Sequence, residues 1–353
     1  MIKFHNILLI QLGDIGDVVL TTPTIRAVRE TYSSARVSIL VRKPFGDLLT
    51  ADPNLYEVIE TGRSYGSLAA TLRENFLLAR RLRTARYDLV IALRTGDRSA
   101  ILSFLTGAKV RIGRQEEHKP FWYKHLFTRL LPDPPYAPPP VHPGAEQSLR
   151  IVRAIGIVTA DSVPRLYVAL PDRIRSLALL QECGLTPGNR WVTINPCSRW
   201  KYKEWEYRKW ARIIDLLWQN HGLKAVLIGS SDEVGACREI VSGRSDRAFN
   251  LAGRTTLGEI SALIAMSTLH LGVDSAAPHI AAAVGVPTLT IFGPGNWQSW
   301  TVADELHRVV TAEIPCVPCN MKGCNDSEKS YCLDELGVDR VYAVAAALLL
   351  FMI

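Results

Sequence analysis

Near the N-terminus an apolar run leads into Gln11-Leu12-Gly13-Asp14-Ile15-Gly16-Asp17-Val18-Val19-Leu20-Thr21-Thr22-Pro23. The two glycines permit a tight turn, and the turn delivers Asp17 to the lip of a strand just ahead of a helix. A carboxylate in that place suits a general base; its plainer role is to cap the helix. A dinucleotide fingerprint would need a third glycine at the right spacing and a later ribose-binding acid. Here acids stand where a pyrophosphate would approach, which argues against an NAD site.

Three segments of the second half carry further chemistry. In Asn195-Pro196-Cys197-Ser198-Arg199-Trp200-Lys201-Tyr202-Lys203-Glu204-Trp205, hydroxyl and cationic side chains lead into a helix, a combination suited to a diphosphate. Leu227-Ile228-Gly229-Ser230-Ser231-Asp232-Glu233 is a Gly-Ser turn followed by acids, able to bind ribose hydroxyls but common. The most specific stretch runs from Leu271-Gly272-Val273-Asp274-Ser275-Ala276-Ala277-Pro278-His279 to Phe292-Gly293-Pro294. A strand stops at Asp274, and small residues then open a helix with His279 in its first turn. Small residues let backbone approach a phosphate or sugar, and Asp274 and His279 can bind hydroxyls or phosphate.

Such residues need strands to present them, and two series of short β-branched runs supply these. The first comprises Ile7–Gln11, Val37–Arg42, Glu57–Glu60, Leu89–Leu93 and Val110–Gly113, with helical patterns at Pro23–Tyr32 and Leu68–Thr84. The second comprises Trp191–Asn195, Ala225–Ile228, Ala248–Leu251, Leu269–Val273, Thr288–Phe292 and Arg308–Val310. Helices are expected there at Trp205–Trp218, Glu233–Val241, Leu257–Met266 and Pro278–Val284. Between the series, Pro132–Gly144 holds seven prolines in thirteen residues and reads as an extended loop ahead of a helix at Glu146–Ala154. The pattern predicts an α/β protein of two Rossmann-like, doubly wound sheets facing across a cleft. The expected domains are residues 1–168 and 169–337, with a terminal helix at 338–353 returning to the first.

The 353 residues fit two domains, and 48% hydrophobic with 21% charged residues exclude a disordered or collagen-like chain. Neither a signal peptide nor a membrane-length apolar run is evident, which gives the expectation of a cytoplasmic protein. Charge is lopsided: residues 1–170 hold 23 Lys+Arg against 15 Asp+Glu, a net of +8, while the remainder is −1. That field suits nucleic acid, anionic lipid or an acidic substrate. The aromatic and glycine signatures of RNA-binding sheets are missing, so no nucleic-acid partner is expected.

Together these segments resemble glycosyltransferase family 9, the ADP-heptose:lipopolysaccharide heptosyltransferases. The likeness rests on Gly16-Asp17 through Pro23, on Lys203-Glu204-Trp205, and on Asp274-Ser275-Ala276-Ala277-Pro278-His279, in the family's order. Ala276 departs from the pattern by replacing a glycine. Leu20-Thr21-Thr22-Pro23, with leucine where other members carry histidine, is similar to the heptosyltransferase III-like branch. The resemblance implies a GT-B fold and an inverting, metal-independent transfer of heptose from ADP-heptose to a hydroxyl of the lipopolysaccharide inner core. Asp17 would be the base, with Gly16, Thr21 and Thr22 on the acceptor side, and Lys203 would stabilise departing ADP. Ser198 would lie beside the phosphates, Glu233 by the ribose and the backbone around Thr255 by the adenine. Asp274, Ser275, Ala276 and His279 would meet phosphate or heptose. An anionic core acceptor would account for the basic first domain. Transfer of another sugar, a protein or different glycan acceptor, or a non-catalytic sugar-nucleotide binder are the alternatives.

No cofactor is implied for the reaction, but Cys316-Val317-Pro318-Cys319, Cys324 and Cys332 have the spacing of a structural zinc or iron site. Free thiols and disulfides are the other readings. The apolar terminal helix, nearly without basic residues, reads as a packing element more than as a support for peripheral contact with the inner membrane.

Overall fold

The computed structural model describes residues 3–62, 67–139, 141–186 and 188–351. The chain forms two compact units, residues 1–167 and 168–353.

In the first unit the strands are β1 (Asn6–Gln11), β2 (Arg36–Arg42), β3 (Glu57–Thr61), β4 (Leu89–Ala92), β5 (Val110–Arg114) and β6 (Arg129–Leu131). They form one parallel sheet in the order β3-β2-β1-β4-β5-β6. β1 and β4 are apolar and buried along nearly their whole length, as strands covered on both faces must be. Helices α1 (Ile15–Leu20), α2 (Thr22–Thr31) and α5 (Pro143–Arg153) pack together. A second pair, α3 (Leu68–Thr84) and α4 (Asp97–Leu105), touch one another. Leu82 of α3 and Leu102 of α4 join Leu8, Ile10, Leu40 and Val90 in one cluster. The sequence does not announce α1, α4 or β6. Gly16 sits inside α1, α4 carries apolar residues on its outer face, and β6 is a three-residue edge strand.

The second unit repeats the plan. Its strands are β7 (Trp191–Asn195), β8 (Lys224–Leu227), β9 (Ala248–Asn250), β10 (Leu269–Val273), β11 (Thr288–Ile291) and β12 (His307–Val310), in the parallel order β12-β11-β10-β7-β8-β9. Helices α6 (Leu170–Glu182), α7 (Tyr207–His221), α8 (Val234–Val241), α9 (Leu257–Met266), α10 (Ala277–Ala283), α11 (Tyr331–Glu335) and α12 (Val338–Phe351) connect and cover them.

The terminal helix, expected to return to the first domain, is built into the core of the second. Its Val341, Ala345, Leu348 and Leu349 join the cluster of Ile194, Trp210, Leu271 and Ile291, and it packs on α7, β11 and β12. The reason is local. Trp205 donates its indole N–H to the Leu336 carbonyl at 3.0 Å, and Ser330 donates to the Tyr202 carbonyl at 2.6 Å. Lys209 reaches the carbonyls of Leu333, Asp334 and Leu336. Among the described residues no helix is long and apolar enough to cross a membrane.

Candidate active site

Each sheet has one place where the chain reverses its direction of strand addition, and there the loops part to leave a crevice at the carboxyl ends of the strands. In the first unit that place lies between β1 and β4, in the second between β7 and β10.

At the first, β1 ends in Gln11 and the turn runs straight into α1. Asp14 and Asp17 cap α1 reciprocally, each side chain taking the other's backbone N–H. Asp17 Oδ2 accepts the Asp14 N–H at 2.8 Å, and the same oxygen pairs with Arg94, which follows β4. Both partners therefore take Oδ2. Gly13 is required by close approach, since a Cβ there would lie 2.4 Å from Asp17 Oδ2. Asp14 in turn pairs with Arg42 at the end of β2. Asp17 thus caps α1, the plainer of its two sequence readings, with its carboxylate also paired to Arg94.

Thr21 and Thr22 are buried, contrary to an acceptor-facing role. Thr21 donates to the Asp17 carbonyl at 2.8 Å, accepts from Gln11 Nε2 at 2.8 Å and lies 3.1 Å from Ser148 Oγ. Thr22 donates to the Val19 carbonyl and accepts the Arg165 N–H. Their hydroxyls hold α1 in place.

At the second switch point Lys203 Nζ lies 2.6 Å from Asp274 Oδ2, with both side chains mostly shielded from water. A Cβ at Gly295 would fall 2.6 Å from the same oxygen, so the loop after β11 closes over this ion pair. Ser275 donates to Asn195 Oδ1 at 2.8 Å, joining the ends of β7 and β10. Ser198 is buried, accepts the Trp200 N–H at 3.3 Å and keeps its own hydroxyl proton to donate. Ala276 adopts φ −76° and ψ −28°, ordinary helical backbone, so the replacement of glycine strains nothing. His279 is half-buried in the first turn of α10. The ammonium of Lys203, steadied by Asp274, is a fixed cation at the crevice, able to meet a diphosphate.

Glu233 and Thr255 stand on neighbouring strand ends. Glu233 Oε2 accepts the Ser230 N–H at 2.7 Å, closing the turn after β8. The Thr255 hydroxyl is buried without a partner among the described residues. Under the site, fully buried His270 on β10 places Nδ1 3.0 Å from Thr193 Oγ1, while Nε2 has no partner among the described residues. Burial holds this imidazole down at about 3. The Cys197 thiol is pushed far up by hydrogen bonding to Cys237 and by burial.

The structure lends no support to the metal expectation. Among the described residues no group of three or more His, Cys, Asp or Glu side chains is placed to hold a metal ion. Cys316 and Cys319 are exposed, Cys324 is half-buried and Cys332 is buried in α11, all as free thiols. Burial, and secondarily the nearby Cys324, raise the Cys332 thiol to about 11. Cys316, Cys319 and Cys324 lie close enough to act electrostatically on Cys332.

Sequence reasoning missed Arg94 and Asn195 as site residues. Arg94 lies 77 positions from Asp17, and the one local signal was its place just after a strand.

A family model for glycosyltransferase family 9 (heptosyltransferase) matches residues 76–330. Lipopolysaccharide heptosyltransferase 3 of Escherichia coli is 29% identical over 296 residues, 81% of this chain and 84% of that relative. The glycosyl transferase family 9 structure from Veillonella parvula matches with a TM-score of 0.83 at 19% identity, covering 99% of this chain and 98% of that one. E. coli ADP-heptose LPS heptosyltransferase II matches with a TM-score of 0.79 at 21% identity, covering 98% and 99%. The two structures speak to the fold, while the family model spans most of the sequence and reaches into both units: the chain belongs to glycosyltransferase family 9, the heptosyltransferases.

Proposed function

We propose that this glycosyltransferase moves heptose from ADP-heptose to a hydroxyl of the lipopolysaccharide inner core, in the cytoplasm, with inversion and without a catalytic metal. The observation that carries the reading is the shielded Lys203–Asp274 pair at the second switch point, a cation where departing diphosphate charge would appear. The E. coli relative's name, lipopolysaccharide heptosyltransferase 3, supports the substrate class and the III-like branch.

In this reading Asp17 Oδ1 takes the proton of the acceptor hydroxyl as its oxygen attacks the anomeric carbon. The bond from that carbon to the β-phosphate oxygen breaks, and ADP leaves with an added negative charge. Lys203 meets that charge as it develops. Arg94 anchors Asp17 through the other oxygen, holding the base in one orientation. Ser198 donates to phosphate, Thr255 contacts the adenosine end, and Glu233 and His279 border ribose and heptose. The basic first unit draws in an anionic acceptor.

The test is transfer from ADP-heptose to a heptose-deficient core acceptor, with the product anomer read by NMR and a parallel reaction in chelator. Asp17→Asn should lower turnover by about 10²–10⁴-fold and leave ADP binding nearly unchanged. Normal turnover by Asp17→Asn would remove the proposed base, and loss in chelator would remove metal independence. Thermal stabilisation by UDP or GDP in preference to ADP would move the enzyme to another donor.

A further inference from the structure

Helix α3 has two apolar stripes and hides one of them. Leu78 and Leu82 pack inward on the first sheet. Leu68, Leu72 and Phe76, spaced four residues apart along another face, are 76%, 61% and 66% exposed. Of its 17 residues, Leu82 alone is fully buried. Its neighbour α4 repeats the feature, with Ile101, Phe104 and Leu105 on one face and each more than a third exposed. A scattered exposed leucine needs no account, but six large apolar side chains on two touching helices do.

The border of this patch is cationic. Arg73 and Arg80 are exposed on α3. Arg83 lies against the backbone of Gly107, just after α4, where a Cβ would meet its guanidinium. Arg111 lies over the Phe104 ring at 5.5 Å. Of the acids, Glu57 is paired with Arg81, Asp97 and Glu116 share Lys119, and Glu74 lies on α3.

We infer that the outer face of α3 and α4 is a docking surface for an anionic lipid bilayer. Leucine, isoleucine and phenylalanine on convex helix faces, flanked by arginine, are the composition of an interfacial helix, with apolar groups entering the acyl boundary and cations meeting head groups. A nucleic acid would leave the protruding apolar groups in water. α3 follows β3 and runs back along the parallel sheet, so Leu68 and Leu72 start from the strand-end edge that carries Asp17. The membrane would thereby lie beside the edge at which an acceptor is received. This inference rests on the surface alone and is independent of the donor assignment.

The test is flotation of the full chain with phosphatidylglycerol vesicles and with phosphatidylcholine vesicles, without donor or acceptor. Binding to the anionic vesicles, weakening with salt and at least about tenfold lower on phosphatidylcholine, is expected. Leu72→Ser with Phe76→Ser should reduce binding at least about tenfold while melting as the wild type does. Arg73→Glu with Arg80→Glu is a second, independent variant with the same expected loss. Failure of the wild type to bind phosphatidylglycerol vesicles overturns the inference, as does undiminished binding by both variants. A wild-type dimer that Leu72→Ser with Phe76→Ser converts to monomer, without vesicle binding, would show a second copy of the chain to be the occupant and overturn it equally.

Discussion

Acid should destabilise this protein through one residue below its candidate site. His270 is fully buried on β10, bound at Nδ1 to Thr193 and orphaned at Nε2, and burial holds its folded pKa at about 3 against an ordinary 6.5. The unfolded chain takes up the proton as pH falls below about 6.5, while the folded chain refuses it until about pH 3. Stability is therefore lost as pH falls through that window, at up to about 1.4 kcal/mol per pH unit. Between about pH 6 and 4.5 the loss from this one group comes to about 2 kcal/mol. The assay is urea unfolding at a series of pH values for the wild type and His270→Gln, which does not titrate. Acids with depressed values, such as Asp161 and Asp215, also weaken the fold in acid, but they are common to both proteins and cancel. Although His270→Gln starts less stable, its loss over this interval should be about 2 kcal/mol smaller. Identical pH slopes would refute the reasoning and mean that the imidazole is hydrated or charged in the folded state.

Gly13→Ala should displace the Asp17 carboxylate, because the new Cβ would stand 2.4 Å from its Oδ2. A fall in turnover of about 10²-fold with unchanged ADP affinity is expected from steady-state kinetics and calorimetry, and turnover near wild type would deny the contact. Lys203→Ala should weaken ADP binding by about 10–100-fold, the worth of a charged hydrogen bond, with Asp274→Asn producing a smaller loss by loosening the lysine. Calorimetry checks both, and unimpaired binding by Lys203→Ala would place the diphosphate elsewhere. A thiol reagent should label Cys316 and Cys319 first and reach Cys197 and Cys237 only on unfolding, since both are buried and a raised pKa further suppresses the Cys197 thiolate. Peptide mass spectrometry during labelling reads the order.

The strands were the most legible part of the fold. β1, β4, β7 and β10 are buried on both faces, so they appear as apolar runs of four to six residues, too short for helices. The elements that escaped do not follow burial so simply. β6 is short and begins with exposed Arg129, and α4 places apolar side chains on its outer as well as its inner face, which erases its period. In the site, Asp17, Lys203 and Asp274 could be read because each sits just beyond a strand in a motif. Arg94 could not, because pairing across 77 residues leaves no local trace. Thr21 and Thr22 have the same polar chemistry buried or exposed, and only packing against Ser148 and Arg165 decides which. For the cysteines, spacing along the chain leaves open whether four thiols point to one place.

The ties from Trp205, Ser330 and Lys209 have a consequence for how such a protein can be recombined. The loop bearing Lys203 is braced by residues 330–336 near the far end of the sequence. A chimera that exchanges the second unit but keeps the original tail would mate a foreign loop to the wrong brace. Residues 330–351 and 195–210 are therefore a single inherited part, although 119 positions separate the end of one from the start of the other. Trimming or tagging the tail is, in effect, an alteration of the loop that carries Lys203.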